Sequence, residues 1–542
     1  MGSHMKKRTF FLVILCCFLA AAFIRINNNF RFAPACGYDA NGHLSYIYQI
    51  KAGWGAPLAN EGWSTFHPPL YYYTMSWLWK FLGPKVPSWP MHILFRLFST
   101  VLNLGMAALV LLSIALLWPG DFSLSLLGLC FVLFVPLHIY TSSMIGNEQM
   151  VAFLTSLGLW LLILYDKKPR LHLHLAALMG IVCGLALLSK YTGVLLFMTI
   201  TICLVSKIFS ANAEGAMGCN GARPSTGNGI DLRLPTNKAP HPSPLPGGER
   251  EKESALSSIP MRERFTTGTN EAASSTIERD LHLEQKLHLN PPLKLMTLPS
   301  TGADGLNPGS RREHCFSLAI VLVGCCLLAG GFYARNIALF GHPFALSQEY
   351  PYVNEVMSKQ PPGERRWTDF VGFDLQIFRD PIIRKVREDM PYARSRYVWT
   401  LVYSNFWFES FSHFFLLHCD FWRQRLGKIL LLLGILPTLL LGIEIGKESI
   451  SALRQKLNTP TSPLLVLFFL NLSSFTFFNL KTPHYSAGKA SYFLVSTLPL
   501  AIFMGRGMQR WLQQGKICKT IGLLLLICIF GLSCAAFFLT YI

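Results

Sequence analysis

The sequence predicts an all-α polytopic membrane protein of about eleven transmembrane helices, and three observations predict it. Hydrophobic residues make up 51% of the chain and charged residues only 14%, with a mean hydropathy of +0.36. A soluble domain carries about 25% charge, so this chain is short of water-facing residues. The apolar residues fall in discrete runs of about 20, the length that crosses a ~30 Å hydrocarbon core. The net charge of +19 sits in short clusters between those runs rather than in one stripe, as the positive-inside rule expects and unlike the footprint of a nucleic-acid binder.

Met1–Met5 reads as an expression-tag remnant and is set aside. The first apolar run, 9–25, follows Lys6-Lys7-Arg8 and is read as an uncleaved helix, because no Ala-x-Ala site follows it. Further spans are expected at 90–118, 121–141, 149–165, 172–188 and 192–208, which with the first outer loop (26–89) complete an N-terminal module, 6–208. Residues 209–314 are rich in Gly, Pro, Ser and Thr with mixed charge and no apolar period. They are expected to form a disordered insertion on the cytoplasmic side. A C-terminal module, 315–542, holds spans at 315–334, 427–445, 463–479, 490–508 and 519–541 and an outer loop at 335–426.

Orientation follows from the short loops. With the N-terminus in the cytoplasm, Asp166–Arg170, the Lys447–Lys456 stretch and Arg506–Lys519 fall inside, and all three are net basic. The outer loops then hold many aromatics, and Pro69–Leu82 reads as a helix lying in the outer interface. Most of the 14 cysteines lie in apolar runs as small hydrophobes, while Cys36 and Cys419 fall in outer loops where a disulfide is feasible.

The polar residues that can carry chemistry gather at the outer ends of the spans. Asp39, His43 and Tyr46 are spaced four and three apart, so one helical face carries all three. The simpler role for Asp39 is a helix cap. Glu148 stands before the fourth span, where it either complements a helix dipole or joins Asp39 as a second carboxylate for acid–base work. Glu61 and His67 lie in a segment whose two prolines, Pro68 and Pro69, fix the backbone. Lys190, Arg335, Lys481, His484 and Lys489 place basic groups on the face that the positive-inside rule disfavours. Such groups either snorkel to headgroups or meet a lipid phosphate. There is no Walker A loop, dinucleotide fingerprint, HExxH or GxSxG in a fitting context, which argues against an ATPase, a dinucleotide enzyme, a zinc protease or a serine hydrolase.

A first helix, an outer loop with an early Asp, and then His67-Pro-Pro-Leu-Tyr-Tyr72 resemble the GT-C glycosyltransferases. The nearest branch is similar to the dolichyl-phosphate-mannose–protein mannosyltransferase-like family, relatives of which include the lipid A aminoarabinose transferase. Gly146-Asn-Glu148, Leu188-Ser-Lys-Tyr-Thr192, Tyr333-Ala-Arg-Asn336, Phe340-Gly-His-Pro-Phe344 and Ser491-Tyr-Phe-Leu494 follow in the family's order. The resemblance implies a transferase that moves a sugar from a polyprenyl-phosphate donor to a glycan, lipid or protein acceptor, outside a bacterial inner membrane. It implies catalytic roles for Asp39 and Glu148 and donor-phosphate contacts from Lys190, Arg335 and Lys489, with His43, Glu61, His67 and His484 lining the substrate site. Many members carry an Asp-Glu pair in the first loop; Ala40 follows Asp39 here, which leaves the acceptor class open. No metal or other cofactor is expected. The competing expectations are a transporter of lipid-linked sugars or a non-catalytic assembly subunit. No internal repeat is seen, and the ionisable residues cluster at one face rather than mid-span.

Overall fold

The computed structural model describes residues 2–33, 37–85, 90–219, 311–346, 350–383, 396–411, 420–455 and 457–539, which hold helices and no β-strand. In chain order the first helices are α1 (Gly2–Arg31), α2 (Ala40–Lys51), α3 (Leu70–Leu82), α4 (Met91–Leu117), α5 (Phe122–Phe134), α6 (Pro136–Thr141), α7 (Glu148–Lys167), α8 (His172–Ser189) and α9 (Val194–Cys219). After the insertion come α10 (Arg311–Phe340), α11 (Pro351–Ser358), α12 (Val398–Trp407), α13 (Asp420–Arg454), α14 (Ser462–Lys481), α15 (Thr497–Leu512) and α16 (Lys516–Leu539). Most of the expected insertion, and both Cys36 and Cys419, lie outside the described residues. Where the expected insertion meets the bundle, α9 and α10 run on past the expected span ends.

Ten helices among the described residues are long and apolar enough to cross a membrane. The protein is thus an all-α polytopic membrane protein. The remaining expected span, 121–141, is interrupted. Val135 takes an extended conformation (φ −72°, ψ 135°) and Pro136 opens a new, six-residue helix. The cause is local: the residue before a proline is pushed out of the α region, and Pro has no N–H for the helix ladder. The two pieces still travel from one end of the bundle to the other. Asp121 caps α5 and accepts from Gln509 near the end of α15, while Ser142 after α6 accepts from Thr100 near the start of α4.

Most buried residues are Leu, Ile, Val, Phe and Ala, but the bundle also buries two arginines completely. Arg25 in α1 donates to Asn103 (3.0 Å) and to the Ala21 and Val132 carbonyls. Asn103 in turn meets His138 and Gln149, the residue after Glu148. Arg96 in α4 donates to the carbonyls of Phe32 and Ala33, which follow α1. Buried guanidinium groups must be hydrogen-bonded or paired, so both tie the first span to the bundle at fixed depth.

The helix expected at Pro69–Leu82 is present as α3. It buries Tyr71, Tyr72 and Met75 and leaves Trp77 and Phe81 exposed, an amphipathic pattern suited to an interface. Its buried side packs on α2 through Tyr46 and Tyr72, whose rings stack 3.8 Å apart.

Candidate active site

Asp39 stands immediately before α2 with a left-handed backbone (φ 57°), and its side chain makes no cap hydrogen bond. Asp is among the few non-glycine residues that visit this region at modest cost. The conformation releases the carboxylate from the capping role. Instead Oδ1 accepts the Trp63 indole N–H at 3.0 Å and Oδ2 lies 3.4 Å from the Lys489 ammonium. Lys489 comes from the turn before α15, 450 positions away, and its Nζ lies 4.5 Å over the Tyr38 ring. Asp39 remains 37% exposed, so the pair is open to solvent on one side. Burial opposes the charged form of Asp39, but Lys489, His43 and the Trp63 N–H outweigh it and hold the carboxyl well below the usual carboxylate range.

Glu148 opens α7, and its Oε1 accepts from Lys190 Nζ at 2.7 Å, with both side chains largely buried. Lys190 stands in the turn between α8 and α9. Gly193 closes that turn because a Cβ there would lie 2.4 Å from the Ala186 carbonyl. The second oxygen, Oε2, is buried with no hydrogen-bond partner. It faces Gly146, where a Cβ would lie 2.4 Å from Oε2 and 3.4 Å from His43 Nε2. Glycine at 146 therefore leaves the space where a Cβ would stand to a carboxylate oxygen and an imidazole nitrogen. The Tyr71 hydroxyl, 3.1 Å from the Gly146 N–H, fixes that segment.

His43 lies behind both carboxylates. Its Nδ1 is 2.8 Å from the Tyr72 hydroxyl, and its ring stacks on His67 with centroids 5.6 Å apart. Burial lowers the pKa of both histidines below the ordinary value of 6.5, and of His67 further, so both are neutral at pH 7. The Nδ1 of His67 is buried with no hydrogen-bond partner. Burial also drives the Tyr72 phenol up, keeping it a hydrogen-bond donor.

Of the nine residues expected at the site, Asp39, His43, His67, Glu148, Lys190 and Lys489 thus form one electrostatically coupled cluster. Three are occupied differently. Arg335 at the end of α10 donates to the Pro57 carbonyl at 3.0 Å and pins the first loop. Glu61 accepts from the Leu58 N–H at 2.7 Å and closes an exposed turn of that loop. His484 pairs with Pro362 and accepts from Arg365 through its carbonyl, tying the second loop to the turn that follows α14. Conversely, Trp63, Tyr38, Tyr72 and Tyr492 touch the cluster although none was expected at the site; Tyr72 and Tyr492 lie within the motifs that carry the resemblance, while Trp63 and Tyr38 have no signal beyond an aromatic-rich loop. The Tyr492 ring lies 5.7 Å below Lys190 Nζ.

The arrangement offers two carboxylates, each paired with one lysine, two neutral imidazoles and spare acceptor capacity on Glu148. It can accept a proton from a hydroxyl at Asp39 and offset a developing phosphate charge from two ammonium groups. Residues 50–218, from the end of α2 through α9, match the model of the dolichyl-phosphate-mannose-protein mannosyltransferase family. The match takes in His67, Glu148 and Lys190; Asp39 and His43 lie just ahead of it. No curated protein matches the chain.

Proposed function

We propose, from the mannosyltransferase-family domain at residues 50–218, that this membrane glycosyltransferase takes its sugar from a polyprenyl-phosphate donor. The acceptor hydroxyl is bound beside Asp39, on the extracytoplasmic face of a bacterial inner membrane, with the N-terminus in the cytoplasm. The observation that carries the reading is the Asp39–Lys489 pair beside Glu148–Lys190 at one end of the bundle.

In this reading the polyprenyl tail stays in lipid and the sugar enters the interface. The acceptor oxygen attacks the anomeric carbon, the bond from that carbon to the phosphate oxygen breaks, and its electron pair leaves with the phosphate. The acceptor proton passes to Asp39. Direct displacement inverts the anomeric centre. Lys489 and Lys190 stabilise the phosphate charge as it grows. Drawing Lys489 toward the phosphate also loosens its hold on Asp39, so the base strengthens when the donor is in place. The unpartnered Oε2 of Glu148 is suited to accept a hydroxyl of the bound sugar. His43 and Tyr72 hold the floor of the site.

The test is release of polyprenyl phosphate by the full chain offered a panel of polyprenyl-phosphate sugars with mixed acceptors. Turnover with at least one donor is expected. Consumption of a nucleotide sugar with every lipid-linked donor left intact would overturn the donor assignment.

A further inference from the structure

A cavity of about 340 Å³ lies at the opposite end of the bundle, where the end of α7 meets the middle of α9 and the turn from α13 to α14. Its rim is polar. Lys207 and Asp166 pair across it at 2.9 Å, and Lys167 stands exposed beside them. Two ammonium groups against one carboxylate leave a net positive rim. The far wall carries the hydroxyls of Thr459 and Ser462, which bond to each other at 2.7 Å. The floor is apolar: Ile202, Cys203 and Val466 belong to the spans themselves.

We propose that this cavity seats the phosphate headgroup of an anionic membrane phospholipid. The phosphate sits against Lys167 and Lys207, and an acyl chain lies along the Ile202–Val466 floor. Three observations fix this chemistry. A net positive rim selects an anion. The apolar floor at span depth has no use for a free ion, whereas an amphiphile fills rim and floor together. The volume is that of a small-molecule pocket. Basic pockets between transmembrane helices on the positively charged side are where anionic headgroups bind, and the cavity borders the basic Asp166–Arg170 loop. The site is at the far end of α7 from Glu148, and its assignment does not depend on the transferase reading.

Native mass spectrometry of the full chain, delipidated and then offered phosphatidylglycerol or phosphatidylcholine, tests this directly. The parent retains phosphatidylglycerol preferentially. A Lys167→Gln, Lys207→Gln, Asp166→Asn variant, which removes the rim charges without stranding one, retains it roughly tenfold more weakly and loses the headgroup preference. Val466→Trp keeps the charges and fills the floor; it loses retention of both lipids, and it serves if the triple variant is unstable. Inorganic phosphate displacing the lipid headgroup preference at millimolar concentration supports the phosphate subsite. Phosphate binding equally well to parent and Val466→Trp with no lipid retained would assign the site to a soluble anion and overturn the lipid source. Equal phosphatidylglycerol retention by the parent and both variants would overturn the site.

Discussion

The two ends of the bundle are both edged with ion pairs, and they are built differently. At the end away from the candidate site, Glu444 on α13 meets Arg506 at 3.2 Å and Arg510 at 2.6 Å. Glu448, one turn on, meets Arg506 at 2.8 Å and accepts from Thr461. Each carboxylate has several partners, and the guanidinium forks suit them. At the other end each carboxylate has one lysine, and Asp39 has an exposed flank. A closed network holds helices together. An open one, made of compact and mobile ammonium groups, can exchange partners with a substrate.

The sharpest way to break this comparison is to change one carboxylate at the open end. Glu148→Gln should lower turnover per folded molecule on the order of 10²-fold, and because it strands the largely buried Lys190 ammonium it should also cost about 3 kcal/mol. Unchanged turnover per folded molecule would move Glu148 to the structural side. At the closed end only stability should suffer. Glu444→Gln leaves two arginines short of a partner and costs about 2 kcal/mol, below the figure for fully buried pairs since Arg510 is 41% exposed. Denaturant unfolding reads that loss, and turnover per folded molecule should stay within about twofold of the parent.

Lys489→Gln sharpens the contrast through pH. Asp39 now sits below its ordinary value of 3.8 because Lys489, His43 and Trp63 favour its charged form over the effect of burial. A carboxyl that must be ionised to act as a base sets the acid limb of kcat/KM. Removing Lys489 therefore raises the Asp39 pKa and moves that limb to higher pH, with turnover lost at acid pH first. An acid limb that does not move would detach Lys489 from Asp39. The smallest effect is expected of Tyr72→Phe, which deletes the hydroxyl at His43 and should cost about 1 kcal/mol of stability with a several-fold loss of turnover.

Much of this was legible in the sequence because composition carries it. A run of about 20 apolar residues is a statement about the bilayer, so the spans are legible, although helices α1, α10 and α13 run six to nine residues past the expected ends at 25, 334 and 445. The exception is Pro136, which is plain in the sequence but lies inside a run whose hydropathy never falters; only its backbone effect divides the span. Asp39, His43, His67, Glu148, Lys190 and Lys489 can be singled out because carboxylates, imidazoles and, against the positive-inside rule, lysines gather at one set of span ends. Their pairings cannot, since Asp39 and Lys489 are 450 positions apart and spacing says nothing at that range. Arg335 shows the limit of the same logic. An outer-face cation asks for a partner, and the carbonyl of Pro57 answers as well as a phosphate would. Trp63 is hidden among aromatics that read equally well as interfacial anchors. Arg25 reads as the end of a span but is fully buried within it, because helix α1 continues to Arg31.

The most direct test of the account is turnover of polyprenyl-phosphate sugar by Asp39→Asn beside Glu444→Gln, each normalised to folded protein. The account predicts that Asp39→Asn loses activity by about 10³-fold or more at the parent's melting temperature, while Glu444→Gln melts lower and turns over normally. Full turnover by Asp39→Asn would contradict it, and would move the base away from the open end of the bundle.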